Sequence, residues 1–62
     1  MCEANAFYVV DGKEDLILEA VDLLQPEEGG RFRLVSIFGE QKIIPGRLRS
    51  VNLVDRKILF ER

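Results

Sequence analysis

The chain has 62 residues, with eleven acidic and nine basic side chains, no histidine and one cysteine. The single cysteine excludes an intramolecular disulfide, and the lack of histidine removes the usual general base at neutral pH, so we expect no enzymatic activity. A domain of about 60 residues buries only about 60% of its unfolded-chain surface and needs further stabilisation, for example by a partner subunit. We therefore expect a homodimer, since two-fold dimers are the commonest oligomers.

Short strands separated by turn residues are predicted from the N-terminus onward. Small, aromatic and β-branched residues predict a first strand over residues 4–10, and Asp11-Gly12 is a strong hairpin signal. Both faces of this strand carry apolar side chains, so the alternation does not choose the buried face. A second strand is predicted over residues 13–19.

Residues 14–24 are ambiguous between strand and helix. The apolar residues at positions 16, 17, 20, 21, 23 and 24 also suit an amphipathic helix. We predict strands over residues 13–19 and 20–25, because strands flank this segment on both sides, with a helix as the alternative. The proline, paired glycines and charges of residues 26–30 predict a loop.

The second half of the chain continues the same pattern. Alternation predicts strands over residues 31–37 and 41–44 around a tight turn at 38–40, and Pro45-Gly46 breaks or kinks the second of them. Extended structure follows over residues 48–53, then a polar turn at Asp55-Arg56 and a last strand over residues 57–60.

The whole chain, residues 1–62, is thus predicted to be one small all-β domain. We expect a strongly bent antiparallel sheet of six to seven short strands that closes into an SH3-like barrel and so removes exposed strand edges. The predicted core consists of Phe7, Val9, Leu16, Leu18, Val21, Leu23, Phe32, Leu34, Ile37, Ile43, Leu48, Val51, Leu53, Ile58 and Phe60.

Charge is distributed unevenly between the two halves. Residues 1–30 carry eight acidic side chains and one basic one, whereas residues 31–62 carry eight basic and three acidic ones. We expect opposite charges to pair across neighbouring strands. The alternative is an RNA-binding face that uses Arg31, Arg33, Arg47 and Arg49, but the acidic pI of about 5.0 argues against a nucleic-acid partner.

Cys2 is the candidate metal ligand. Where Met1 is retained, its amine, the Cys2 amide and the Cys2 thiolate can form a chelating set; where Met1 is removed, the new terminal amine and the thiolate of Cys2 can chelate a metal instead. Nitrogen-rich tetragonal sites suit Ni²⁺ or Cu²⁺. The alternative is that this lone cysteine is an inert small apolar residue. A two-fold axis near the N-termini would bring two thiolates into one four-coordinate site.

No segment approaches the ~20 apolar residues that a membrane helix needs, and the first five residues do not form a secretory signal. A free thiol without a partner fits the reducing cytoplasm, which is the predicted location.

Three segments of the sequence resemble the CooT family, and the resemblance covers nearly the whole chain. They are Met-Cys-Glu-Ala-Asn-Ala at residues 1–6, Phe-Gly-Glu-Gln-Lys-Ile at 38–43 and Val-Asn-Leu-Val-Asp at 51–55. The resemblance implies a nickel-binding homodimer that acts as a metallochaperone or nickel store for carbon monoxide dehydrogenase, with Cys2 as the essential ligand. Family members have also been labelled RNA-binding. We expect Ni²⁺ as the metal, with Cu²⁺ or Zn²⁺ as alternatives in vitro.

Overall fold

The computed structural model describes residues 3–62, which form six β-strands. The strands are β1 (Ala4–Val10), β2 (Lys13–Glu27), β3 (Arg31–Ser36), β4 (Gln41–Pro45), β5 (Arg47–Asn52) and β6 (Lys57–Glu61). The all-β prediction is confirmed, and the six strands agree with the lower end of the predicted range of six to seven. Residues 3–62 contain no helix of the length and apolarity that a bilayer crossing requires.

All six strands belong to one sheet with the order β4-β3-β2-β1-β6-β5. The prediction of a purely antiparallel sheet is wrong at one place, because β1 and β6 run parallel, with Ala6 opposite Ile58. The other four pairings are antiparallel. Within residues 3–62 no ladder of backbone hydrogen bonds joins β4 to β5, so the sheet is not closed into a barrel.

The sheet is nevertheless strongly rolled, because its two edge strands are consecutive in the chain. Only Gly46 separates the end of β4 from the start of β5. In a flat six-stranded sheet these edges would lie about 24 Å apart, since neighbouring strands are spaced by about 4.8 Å. One residue cannot span that distance, so the two edges meet at the Gly46 corner and diverge away from it.

Residues 14–24 belong to a strand, which resolves the ambiguity between strand and helix. The predicted strands over 13–19 and 20–25 are one long strand, β2, with an irregularity at Ala20, where φ is +56°. The first half of β2 pairs with β1 and the second half with β3. One strand therefore serves two neighbours by bending between them.

The predicted loop over residues 26–30 is shorter than expected, because Pro26 and Glu27 belong to β2. Proline lacks a backbone N–H and is tolerated in a strand only where one side of that strand is unpaired. That condition holds here, since β1 reaches β2 no further than the pair Ala4–Val21, and Pro26 faces only Phe32 of β3.

The core lies on the concave side of the rolled sheet. It consists of the buried residues Ala6, Tyr8, Leu18, Val21, Leu34, Ile44, Ile58 and Phe60, with Phe32 half-buried against them. Five of the predicted core residues are in this set, namely Leu18, Val21, Leu34, Ile58 and Phe60. The rings of Phe32 and Phe60 lie 5.3 Å apart between centroids.

The other predicted core residues lie outside the buried set. On β1 the buried face carries Ala6 and Tyr8, and the predicted Phe7 and Val9 are only half-buried on the opposite face. On β4 the buried residue is Ile44, because Ile43 lies opposite Arg33 on the outer face. The remaining wrong predictions are all exposed: Leu16, Leu23, Ile37, Leu48, Val51 and Leu53.

Tyr8 connects the sheet centre to the corner. Its hydroxyl donates a hydrogen bond of 2.6 Å to the carbonyl oxygen of Pro45, so its polar end is satisfied although the ring is buried. The guanidinium carbon of Arg62 lies 4.6 Å from the centroid of the ring. Tyr8 is therefore a core residue.

Candidate functional site

The two predicted metal ligands, Met1 and Cys2, lie outside the described residues, and their prediction stays a prediction. The description starts at Glu3, and β1 begins one residue later at Ala4. Within residues 3–62, no three His, Cys, Asp or Glu side chains are grouped so that they could hold a metal ion. The residues that surround the start of β1 are therefore the described residues nearest in sequence and space to a site at Cys2.

Asn5 is the central residue of this frame, and it joins three parts of the chain. Its side-chain Oδ1 accepts a hydrogen bond of 3.1 Å from the backbone N–H of Ala20, at the bend of β2. Its own backbone N–H donates to the carbonyl oxygen of Arg56, at 2.9 Å, in the turn before β6. The sequence analysis assigned no role to Asn5, although an amide in an otherwise apolar strand is a signal of such a role.

The bend at Ala20 is also held from its other side. The backbone N–H of Ile37 donates to the carbonyl oxygen of Ala20 at 2.9 Å, which brings the turn after β3 to the same place. The hydroxyl of Ser36 accepts hydrogen bonds from the backbone N–H groups of Phe38 and Glu40 and so orders that turn. The turn at 38–40, predicted from the sequence, therefore lies beside the start of β1.

A polar hollow of about 390 Å³ opens between these elements. Three carboxylates and one guanidinium group belong to its lining, which consists of Glu3, Asn5, Glu19, Ala20, Phe38, Asp55 and Arg56. The side chain of Phe38 is 81% exposed at its rim. The hollow begins one residue after Cys2 and is open to solvent.

An apolar hollow of about 210 Å³ also reaches the start of β1. Its lining consists of Ala4, Val21, Asp22, Leu23, Leu24, Val51, Leu53 and Ile58. We call this the apolar hollow. It occupies the gap between the second half of β2 and the edge strand β5, all of whose residues are exposed. Leu23, Val51 and Leu53 are exposed because none of the strands within residues 3–62 covers this gap.

The four arginines of the RNA alternative are largely engaged by neighbouring groups. Arg33 forms an ion pair with Glu27 at 2.8 Å, and Arg47 and Arg49 both approach the carboxylate of Glu61 at 3.6 Å. The Nε of Arg31 donates to the carbonyl oxygen of Glu28. This arrangement agrees with the expected pairing of opposite charges and gives no support to a dedicated basic face.

Two of the comparisons with known proteins indicate the same family. The family model described as CO dehydrogenase accessory protein CooT matches residues 1–61. A solved structure of a protein assigned as a CooT from Carboxydothermus hydrogenoformans is 49% identical, covers 98% of this chain and 97% of its own, and superposes with a TM-score of 0.91. No curated protein matches. The family match includes the segment that frames the start of β1, and the chain therefore belongs to the CooT family of CO dehydrogenase accessory proteins.

Proposed function

We propose that this protein binds nickel and delivers it to, or stores it for, a nickel enzyme such as carbon monoxide dehydrogenase. The observation that carries the proposal is membership of an accessory-protein family whose model matches from residue 1, in a chain whose only thiol is that of Cys2. Accessory proteins of metalloenzymes supply a metal or a folding step, and a thiol supports the first of these roles. The cytoplasm is the proposed location, because a free thiol stays reduced there.

In this proposal the Cys2 thiolate binds Ni²⁺ together with backbone nitrogen atoms next to it. The amine of Met1 is a further ligand where that residue is retained. Thiolate, amine and ionised amide favour a tetragonal site for Ni²⁺ or Cu²⁺, and Zn²⁺ would bind in vitro with a different geometry. Because these ligands bind only when deprotonated, nickel binding releases protons and weakens in acid.

We further propose that the metal-binding form is a homodimer in which a second copy covers the apolar hollow. The support is the position of the hollow: Ala4, which lines it, is two residues from Cys2, a distance of at most about 7 Å along the chain. In a two-fold interface, residues near the axis meet their own counterparts. A second copy placed on the apolar hollow would thus bring two Cys2 thiolates toward one metal ion.

Nickel titration tests the metal proposal. The wild-type protein should bind Ni²⁺ and develop a thiolate-to-nickel charge-transfer band in the ultraviolet, and Cys2→Ala should lose both the band and the binding. Glu3→Gln, which changes the neighbouring carboxylate but keeps the thiol, is the matched control and should retain the band. Nickel binding by Cys2→Ala with unchanged affinity would exclude the proposed site.

Substitutions at two adjacent, strongly exposed residues test the homodimer proposal. Leu53, 72% exposed, lines the apolar hollow, whereas Val54, 91% exposed, does not. Burial of a leucine side chain contributes about 1.5–3 kcal/mol, and a two-fold interface contains the residue twice. Leu53→Asp should therefore weaken dimerisation at least about 100-fold in sedimentation equilibrium, since each 1.4 kcal/mol is tenfold. Val54→Asp should leave dimerisation unchanged, and equal effects of both substitutions would place the interface elsewhere.

A further inference from the structure

Within residues 3–62, three residues other than glycine have a positive φ. Two of these three are hydrogen-bonded to Asn5. Ala20 and Arg56 both have φ of +56°, and the third, Asp11, belongs to the hairpin turn. Asn5 accepts from the N–H of Ala20 through its side chain and donates to the carbonyl oxygen of Arg56 through its backbone. Left-handed backbone is unfavourable for residues with a Cβ and persists where the surroundings hold it.

The β1–β2 ladder explains why a side chain is needed at this point. The pairs Ala4–Val21 and Ala6–Leu18 are out of step, so β2 has one extra residue opposite Asn5. The N–H of Ala20 then finds its partner in the Oδ1 of Asn5. The side chain of Asn5 thereby replaces the missing ladder bond and fixes the bend of β2 against the first residues of β1.

The contacts of Asn5 hold the start of β1 in place. The bend at Ala20 and the turn at Arg56 lie on either side of the start of β1, and both line the polar hollow together with Glu3. Two residues, Glu3 and Ala4, separate Asn5 from Cys2. A segment that is held at Asn5 presents Cys2 from a fixed point, whereas a segment released there samples many directions.

We propose that Asn5 is a positioning residue for the Cys2 metal site. The inference rests on the proposed nickel function and adds a residue that itself binds no metal. The apparent affinity of a site falls in proportion to the fraction of molecules in the binding-competent arrangement. Loss of the Asn5 side chain lowers that fraction by freeing the bend at Ala20, while the backbone bond to Arg56 remains, and nickel affinity should drop about tenfold.

The test compares Asn5→Ala, Asn5→Asp and a stability control by nickel titration of the full chain. Asn5→Asp keeps an oxygen that accepts the Ala20 N–H and should retain the wild-type affinity to within about threefold. Ile44→Val removes one buried methylene on β4, away from the N-terminal segment, and serves as a mildly destabilised variant with an intact Asn5. Hydrogen exchange at the Ala20 amide should accelerate in Asn5→Ala and stay slow in Asn5→Asp.

The spectrum separates a positioning role from direct coordination. The thiolate-to-nickel band should keep its wavelength in Asn5→Ala while the affinity falls, because the ligands are unchanged. A shifted band would identify Asn5 as a ligand and overturn the inference. An Asn5→Ala affinity equal to that of Ile44→Val would overturn it as well, while the nickel proposal would stand as long as Cys2→Ala loses binding. If Cys2→Ala retains binding, both proposals fail.

Discussion

Gly46 is the residue whose substitution tests the rolled architecture most directly. It has φ of +126° and joins the two edge strands at the corner of the sheet. A Cβ at this position would lie 2.6 Å from the carbonyl oxygen of Glu61 and 3.4 Å from its carbonyl carbon, and 3.5 Å from the ring of Tyr8. The first two contacts are with backbone atoms of β6, which cannot rotate away.

Gly46→Ala should therefore be costly for two separable reasons. The left-handed backbone contributes about 1–3 kcal/mol for a residue with a Cβ, and the overpacked contact with β6 contributes about 1–3 kcal/mol more. We expect a total of about 3 kcal/mol or more. A protein of this length has an unfolding free energy of about 3–9 kcal/mol, at 0.05–0.15 kcal/mol per residue, so the variant would be marginally folded.

Gly39→Ala is the matched control, because Gly39 has φ of +84° and an added Cβ there would meet nothing within 4 Å. It should show the backbone cost alone, about 1–2 kcal/mol. Thermal unfolding at equal protein concentration should place Gly46→Ala at least about 4 °C below Gly39→Ala, since the overpacked contact costs at least about 1 kcal/mol, which corresponds to about 4–8 °C in a domain of this size. Coincident melting temperatures would refute the close approach of the corner to β6.

Three further predictions concern other positions. Ala20→Gly should raise stability by up to about 1 kcal/mol in chemical denaturation, because glycine adopts the left-handed backbone without strain, and a loss of stability would show that the bend is not strained. Tyr8→Phe should cost about 1–2 kcal/mol, since the Pro45 carbonyl loses its 2.6 Å donor; no change in the denaturation midpoint would mean that water replaces the hydroxyl. The pKa of Lys57 is raised above its ordinary value of 10.5, mainly by the hydrogen bond that Lys57 donates to Glu14. The pair therefore stabilises the fold fully below pH 10.5, and this stabilisation is lost as the pH rises through the higher pKa of the folded state. Glu14→Gln should flatten this alkaline loss in unfolding measurements from pH 9 to 12, and an unaltered slope would contradict the pairing.

Local sequence signals located most of the strands, because the start and end of a strand depend mainly on residues that are neighbours in the sequence. Asp11-Gly12 marks the hairpin between β1 and β2, and the alternation of residues 31–37 marks β3, which spans Arg31–Ser36. Glycine and polar residues likewise marked the turns at 38–40 and 55–56. These features follow from backbone preferences and side-chain periodicity over a few residues.

The faces of the strands needed more than local information. β1 is apolar on both sides, and only its place between β2 and β6 determines that Ala6 and Tyr8 point inward. Ile43 and Ile44 are equivalent by composition, and the register with Arg33 and Phe32 decides between them. The exposure of Leu53 follows from a gap between distant strands, which no periodicity describes.

The sequence by itself determined the all-β class, the positions of most turns and the choice of Cys2 and Met1 as candidate metal ligands, since each depends on residue type and local order. Only the tertiary structure decided that β1 and β6 run parallel, that the sheet stays open beside β5, and that Asn5 ties the β2 bend to the turn before β6. The physical reason is that these properties depend on register and on contacts between residues 15 to more than 50 positions apart.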